Sequence, residues 1–213
     1  MAKMTLVIGN KNYSSWSLRA WLTLKQTGES FHEVRLPLHT SEFEREIVQY
    51  SPSGKVPCLV DGDVRIWESL AICEYLSERF PKANLWPKDS KARAFARSIS
   101  NEMHAGFLAL RKNLPMNIRE RISKEIPADV QSDIDRITSI WREAHEKFGK
   151  SGPFLFGHFT IADAMYAPVV TRFVTYGIKV DPISKAFMDT ILSLPAMKEW
   201  ILSAQKEVEV LHH

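Results

Sequence analysis

Val56-Pro57-Cys58-Leu59-Val60, then Asp61-Gly62-Asp63, then Val64-Arg65-Ile66-Trp67 and Glu68-Ser69, form the stretch whose reading decides the fold. It reads as a strand opened by proline, a tight turn, a second strand, and a helix that begins at an acid-hydroxyl pair. The Pro57 ring fixes φ and removes a backbone donor, which suits the start or edge of a strand. Asp61-Gly62 between two apolar runs signals a hairpin. Glu68-Ser69 stands where a helix N-terminus offers unpaired N–H groups to an anion. Each piece alone is ordinary, since acid-hydroxyl pairs commonly do no more than cap helices. Their order makes a unit suited to reading an extended peptide.

Working outward, residues 4–9 read as a strand and residues 14–26 as a helix with Leu18, Trp21 and Leu22 on one face and Gly28 as its stop. Residues 31–36 read as a strand ended by Pro37, and residues 41–50 as a short helix with Glu44 at capping-box spacing from Ser41. With the hairpin and a helix over 68–79, the order is β-α-β-α-β-β-α, that of a thioredoxin-like domain over residues 1–80. Pro81, Asn84 and Pro87 mark residues 81–89 as a linker, docked by Leu85 and Trp86. Residues 90–213 are helical in pattern. One helix is expected over 93–113 through Phe95, Ile99, Met103, Phe107 and Leu110, another over 129–148 through Val130, Ile134, Ile137, Ile140 and Trp141. The fold class is therefore α/β plus all-α, a thioredoxin-like N-terminal domain followed by a helical-bundle C-terminal domain.

Composition narrows the function. The chain has 213 residues, 45% of them hydrophobic, enough for one large domain or two small ones with their own cores. Its net charge of +3 comes from 28 basic and 25 acidic residues, and no basic stripe with stacking aromatics points to nucleic acid. No apolar run approaches the roughly 20 residues that span a bilayer, and no signal-type segment precedes the first strand, so a cytoplasmic protein with no membrane role is expected. Two separated cysteines, Cys58 and Cys73, argue against a disulfide framework, and scattered histidines imply no metal. The terminal pair His212-His213 supports no assignment.

Two further motifs matter. In Gly157-His158-Phe159-Thr160-Ile161-Ala162-Asp163, Thr160 can cap a helix while Asp163 reaches back to the Thr160 N–H. Tyr13-Ser14-Ser15-Trp16-Ser17-Leu18-Arg19 lies between the first strand and first helix, where Ser14 or Ser15 is either a plain cap or a donor to a ligand. Donation to a thiolate favours the charged form. A thiol otherwise titrates near about 8.5, and each unit of depression is worth about 1.4 kcal/mol.

The Val-Pro strand start, hairpin and Glu-Ser helix start resemble the glutathione-binding half of the cytosolic glutathione S-transferases. The Gly157 to Asp163 string resembles the capping box of their helical domain. Ser14-Ser15-Trp16-Ser17 with Arg19 resembles the Ser-Ser-Cys-Ser-x-x-Arg motif of the zeta-like, maleylacetoacetate isomerase-related bacterial type. The resemblance implies a glutathione transferase, a homodimer of detoxifying function, with glutathione as co-substrate and no metal. It implies Ser14 as the activating hydroxyl, Ser15 as a supporting donor, and Tyr13 as an alternative. It implies main-chain pairing of the glutathione cysteinyl unit with Val56 beside a cis Val56-Pro57 bond, Ser69 and Glu68 on the γ-glutamyl carboxylate and ammonium, and Lys55 on the glycyl carboxylate.

Trp16 stands where the zeta motif has cysteine, which separates transferase from isomerase activity; it either walls the electrophile pocket or packs between domains. His104, Phe107, Leu108 and Arg111 fall at i, i+3, i+4 and i+7, as a core stripe or as a pocket face on which His104 and Arg111 orient an acidic electrophile. Two competing readings stay open: a non-catalytic glutathione-binding regulator, and a glutaredoxin-like thiol reductase acting through Cys58 or Cys73.

Overall fold

The computed structural model describes residues 3–211; the His212-His213 pair lies outside the described residues. Strands β1 (Thr5–Ile8), β2 (His32–Arg35), β3 (Cys58–Asp61) and β4 (Val64–Trp67) form one sheet in the order β2-β1-β3-β4. β1 pairs parallel with β2 and antiparallel with β3, and β3 with β4 closes the hairpin that Asp61-Gly62 signals, with Gly62 at φ 63°. The two-residue period of a strand divides β1: Leu6 and Ile8 enter the main core, while Val7 turns to a second cluster with Leu36, Ile47 and Cys58. The Val56-Pro57 peptide is cis.

Helix α1 (Ser15–Gln26) carries Leu18, Trp21 and Leu22, all buried, and α3 (Ser69–Arg79) packs beside it. Removing a side chain such as Leu18 would cost about 2–5 kcal/mol. Helix α2 (Ser41–Ile47) is shorter than expected, and its cap is Thr40 rather than Ser41: the Phe43 N–H donates to Thr40 Oγ1 at 3.1 Å. The capping box expected from Ser41 and Glu44 gives way because Thr40, one residue earlier, already takes the extended backbone of an N-cap.

A 3-10 turn (Pro81–Ala83) leads to the helical domain, α4 (Ser90–Ala105), α5 (Leu108–Asn113), α6 (Ala128–Ala144), α7 (Ile161–Thr175), α8 (Pro182–Ser193) and α9 (Pro195–Lys206), with a π-helical turn at His145–Gly149. The α6 stripe Val130, Ile134, Ile137, Ile140 and Trp141 is wholly buried, as its period requires. α7 runs through the centre of the domain and packs on α1 and α4. Its start is the expected capping box: the Thr160 N–H and Oγ1 donate to Asp163 Oδ2 at 2.7 and 2.9 Å, and the Leu155 N–H donates to Oδ1 at 3.1 Å. The core is continuous across both domains, with Trp21 of α1 edge-on to Trp200 of α9 at 5.1 Å. Among the described residues no helix is long and apolar enough to cross a membrane, and no cluster of three or more His, Cys, Asp or Glu side chains could hold a metal ion.

One expected helix is two. The run over 93–113 breaks at Gly106, and Phe107 takes a left-handed backbone, φ 60°. The break is held by polar bonds from both sides. Arg111 donates to the Gly106 carbonyl at 2.9 Å and to the Met103 carbonyl, occupying acceptors that a helix end leaves unpaired. The Leu110 N–H donates to Asp133 at 2.9 Å, which caps α5.

Candidate active site

The turn before α1 is built by short-range bonds. Tyr13 and Ser14 donate their N–H groups to the Asn10 carbonyl at 3.1 and 2.8 Å. Ser14 is the N-cap, accepting from the Ser17 N–H at 3.4 Å while its Oγ donates to Ser17 Oγ at 2.7 Å. Ser17 Oγ also accepts from the Gly9 N–H at 3.1 Å, tying the turn to the end of β1. Ser15 follows at the first helical position; its hydroxyl has no hydrogen bond among the described residues.

Two recesses open beside this turn. The larger, of about 680 Å³, is lined by Tyr13, Ser14, Ser15 and Trp16, by Leu38, His39, Phe43 and Glu44, by Gly54, Lys55 and Val56, and by Arg111, Pro115, Met116, Arg172 and Leu211. The smaller, of about 170 Å³, is lined by Trp16, Ser53, Lys55, Val56, Pro57, Glu68 and Ser69. Trp16, Lys55 and Val56 belong to both, so the two spaces adjoin across the Trp16 indole.

In the smaller recess, Ser69 opens α3 and is buried, and its Oγ has no partner among the described residues. Glu68 occupies a left-handed backbone position, φ 68°, costly for a residue with a side chain, and it presents its carboxylate outward. No hydrogen bond engages the Val56 N–H or carbonyl among the described residues. A main-chain edge, a helix start with a spare hydroxyl, a carboxylate and Lys55 thus converge on one extended space.

The larger recess is electropositive. Arg111 and Arg172 line it with Lys55, against Glu44 as the one acid among its described lining residues. Arg172 is buried; its Nε donates to the Leu114 carbonyl at 2.9 Å and its Nη1 has no hydrogen-bond partner among the described residues. Burial, then the neighbouring Arg111, pushes the Arg172 guanidinium down to about 9. Behind the wall Arg19 is fully buried, donating from Nε to the Met165 carbonyl at 3.0 Å, with neither Nη atom hydrogen-bonded among the described residues. Burial, then Arg111 and Arg172, holds it well below the usual arginine value. Trp16 is held by cations: the Arg19 and Arg111 guanidinium carbons lie 4.4 and 4.7 Å from its ring centroid.

Of the expected pocket stripe, Arg111 alone lines the recess. His104 sits behind Trp16, edge-on at 5.2 Å, with Nε2 3.8 Å from Glu68; burial, then Arg19, lowers its pKa, which favours the neutral imidazole. Phe107 is buried in the core, and Leu108, 71% exposed, faces away. The i, i+3, i+4, i+7 alignment fails because the helix stops between His104 and Phe107. Sequence reasoning missed Leu38, Phe43, Pro115 and Met116, which carry no chemical signal, and Leu211. Arg172 did carry one, a lone cation within the apolar run of α7.

Both cysteines are closed off. Burial raises Cys58, and it pushes Cys73 up to about 12, with its Sγ 3.2 Å from Thr23 Oγ1. Neither is a thiolate near neutrality.

Residues 13–79 match the family model of the glutathione S-transferase N-terminal domain, and residues 119–202 that of the glutathione S-transferase C-terminal domain. The chain belongs to the glutathione S-transferase family. A stringent starvation protein A homolog from Coxiella burnetii is 29% identical over 179 residues, 84% of this chain and 80% of that protein. A probable maleylacetoacetate isomerase from Caenorhabditis elegans is 41% identical over 97 residues, 45% of this chain and 44% of that one. Among solved structures, a glutathione transferase homolog from Burkholderia gl BGR1 with bound glutathione superposes with TM-score 0.72 at 23% identity, covering 96% of this chain and 98% of that one. The family fold, a thioredoxin-like domain joined to a helical domain, is the one described above, and at family level the protein is a glutathione transferase enzyme.

Proposed function

We propose that the protein binds glutathione along Val56 and Ser69 and activates its thiol at the Ser14–Ser15 turn for attack on a small, negatively charged electrophile. The observation that carries this reading is the shared wall of the two recesses: a peptide lying against Val56 brings its thiol to the hydroxyl turn and to the edge of the larger, cationic space. The cysteinyl unit adds to the open Val56 edge by main-chain hydrogen bonds. The γ-glutamyl carboxylate takes the Ser69 N–H and its unpaired hydroxyl, Glu68 takes the ammonium, and Lys55 takes the glycyl carboxylate. The electrophile's acid group lies against Arg111 and Arg172.

Ser15 is the hydroxyl ready to donate to the thiolate, because Ser14 is committed to Ser17 and serves only after rotating away from it. The N-terminus of α1 adds a favourable field of about 0.3–1 kcal/mol. Conjugation then proceeds by thiolate attack on the electrophilic carbon, which forms the C–S bond and expels the leaving group with its electron pair. The test compares Ser14→Ala, Ser15→Ala and the double variant by conjugation rate and by calorimetric glutathione binding. Loss of conjugation with binding retained supports the reading; unchanged conjugation in the double variant sinks it.

A second reading, a glutathione-binding regulator without efficient catalysis, draws on the Ser14–Ser17 bond, which occupies the first candidate hydroxyl. It predicts glutathione binding with an unshifted thiol. Isomerisation of the maleylacetoacetate type draws on the isomerase relative, and Trp16 in place of cysteine weighs against it.

A further inference from the structure

We infer that residues 207–211, beyond α9, are a strap that positions the thiol-activating turn and sets the size of electrophile the cationic recess accepts. The inference rests on the turn's role proposed above and extends it to residues outside both recesses' recognisable motifs.

The strap is extended, and its side chains alternate. Val208 and Val210 point out, 86% and 64% exposed, while Glu207, Glu209 and Leu211 turn toward the protein. The side chain of Glu207 is only 7% exposed. Its two carboxylate oxygens accept the Lys11 and Asn12 N–H groups at 2.7 and 2.9 Å, immediately before Tyr13 and Ser14. A carboxylate accepting two backbone N–H groups makes a charge-assisted pair of fixed geometry, stronger than neutral hydrogen bonds.

Arg119 locks the strap from the other side. It donates to the Glu207 carbonyl, to the Glu209 carbonyl at 2.7 Å and to the Tyr13 hydroxyl at 3.0 Å, and its own N–H donates to Asn12 Oδ1 at 2.9 Å. Arg35 of β2 pairs with Glu209 at 2.7 Å, so the strap spans from the sheet to the α5–α6 connection. Leu211 then reaches the larger recess as one of its walls. The backbone N–H groups just ahead of the reacting hydroxyls are thus fixed by a residue 195 or more positions away in sequence. Glu207 is a positioning residue; Leu211 is a specificity determinant.

The test uses the full chain with Glu207→Gln, Glu207→Ala, Leu211→Ala and Leu211→Trp, and Val208→Ser as an outward-facing control. Two quantities are read: the pH dependence of thiolate absorbance from bound glutathione, and kcat and KM for a small and a bulky activated aryl chloride. Glu207→Ala should raise the apparent thiol pKa by about half to one unit. It should also lower kcat about tenfold, as expected for a displaced reacting group, with glutathione KM within about threefold. Glu207→Gln, keeping one acceptor, should fall between. Leu211→Ala and Leu211→Trp should leave the pH profile alone and move the bulky-to-small KM ratio about tenfold in opposite directions.

Folded Glu207 variants with the parental pH profile, together with Leu211 variants of unchanged KM ratio, would overturn the inference. Should Glu207→Ala fail to fold, Glu207→Gln and the Leu211 pair decide it. A parent protein that binds glutathione without lowering its thiol pKa contradicts the reading of the turn instead. The strap is then judged by equilibrium binding of the two aryl chlorides to Leu211→Trp: selective loss of the bulky one supports it, equal binding of both overturns it.

Discussion

Ser14 Oγ donates to Ser17 Oγ at 2.7 Å, so the hydroxyl that caps α1 is already spent within its own helix turn. Its neighbour Ser15 lines the larger recess with no such partner among the described residues. Ser15→Ala should therefore lower kcat/KM by about tenfold to a hundredfold, in the range of a lost hydrogen bond to a charged group. Ser14→Ala should lower Tm as well as rate, because the cap contributes about 1 kcal/mol. Steady-state kinetics paired with thermal melts separates the two; equal loss of rate without loss of stability in both variants would contradict this division.

Arg172 is buried with an Nη1 that has no hydrogen-bond partner among the described residues, a position where charge costs stability and is useful for binding an anion. Arg172→Met should cost at least about tenfold in KM for an electrophile bearing a carboxylate and little for a neutral one, while Tm stays level or rises. A fall in Tm with no change in acid preference would mark Arg172 as purely structural.

Asp163 carries a pH signature. Burial lifts its carboxyl to about 7, opposed by hydrogen bonds from the Leu155 and Thr160 N–H groups and the Thr160 hydroxyl. A carboxyl whose folded pKa exceeds its unfolded value near 3.8 binds more protons folded than unfolded between those two values. Its stabilising contribution is thus fullest below about 4 and declines as pH rises to about 7. Denaturant melts of the parent and of Asp163→Asn should differ most near pH 4–5 and less at pH 8. A gap that widens with pH would show the three hydrogen bonds dominating instead.

The buried thiols predict an insensitive background. A Cys58→Ala, Cys73→Ala double variant should keep its glutathione-dependent activity within about threefold, since neither group is a thiolate at neutral pH. A protein–glutathione mixed disulfide found by mass spectrometry, with activity lost in the double variant, would reinstate a thiol-reductase mechanism.

Much of the fold was legible because short-range chemistry carried it. Pro57, Asp61-Gly62 and the Thr160–Asp163 pair each act within a few residues, and each lies where its local physics puts it. The helix break at Gly106 was not legible, because the bonds that hold it come from Arg111 and from Asp133 on a different helix. The cap of α2 moved by one residue, from Ser41 to Thr40, where two hydroxyl residues in succession offer equal local choices. In the site, Ser14, Ser15, Trp16, Lys55, Val56, Glu68 and Ser69 stand together around two adjoining recesses. The far wall of the larger recess was hidden, because Arg172, Leu211 and Met116 reach it from segments with no shared pattern.

The central claim, that the turn at Ser14–Ser15 activates a bound thiol, is tested most directly by ultraviolet titration of glutathione bound to the parent and to the Ser14→Ala, Ser15→Ala double variant. The parent should bind glutathione with a thiol pKa about one to two units below the free value near 8.5, and the double variant should bind it with the pKa returned toward that value. A parent whose bound thiol titrates like free glutathione, or a double variant that keeps the depressed pKa, would contradict the account.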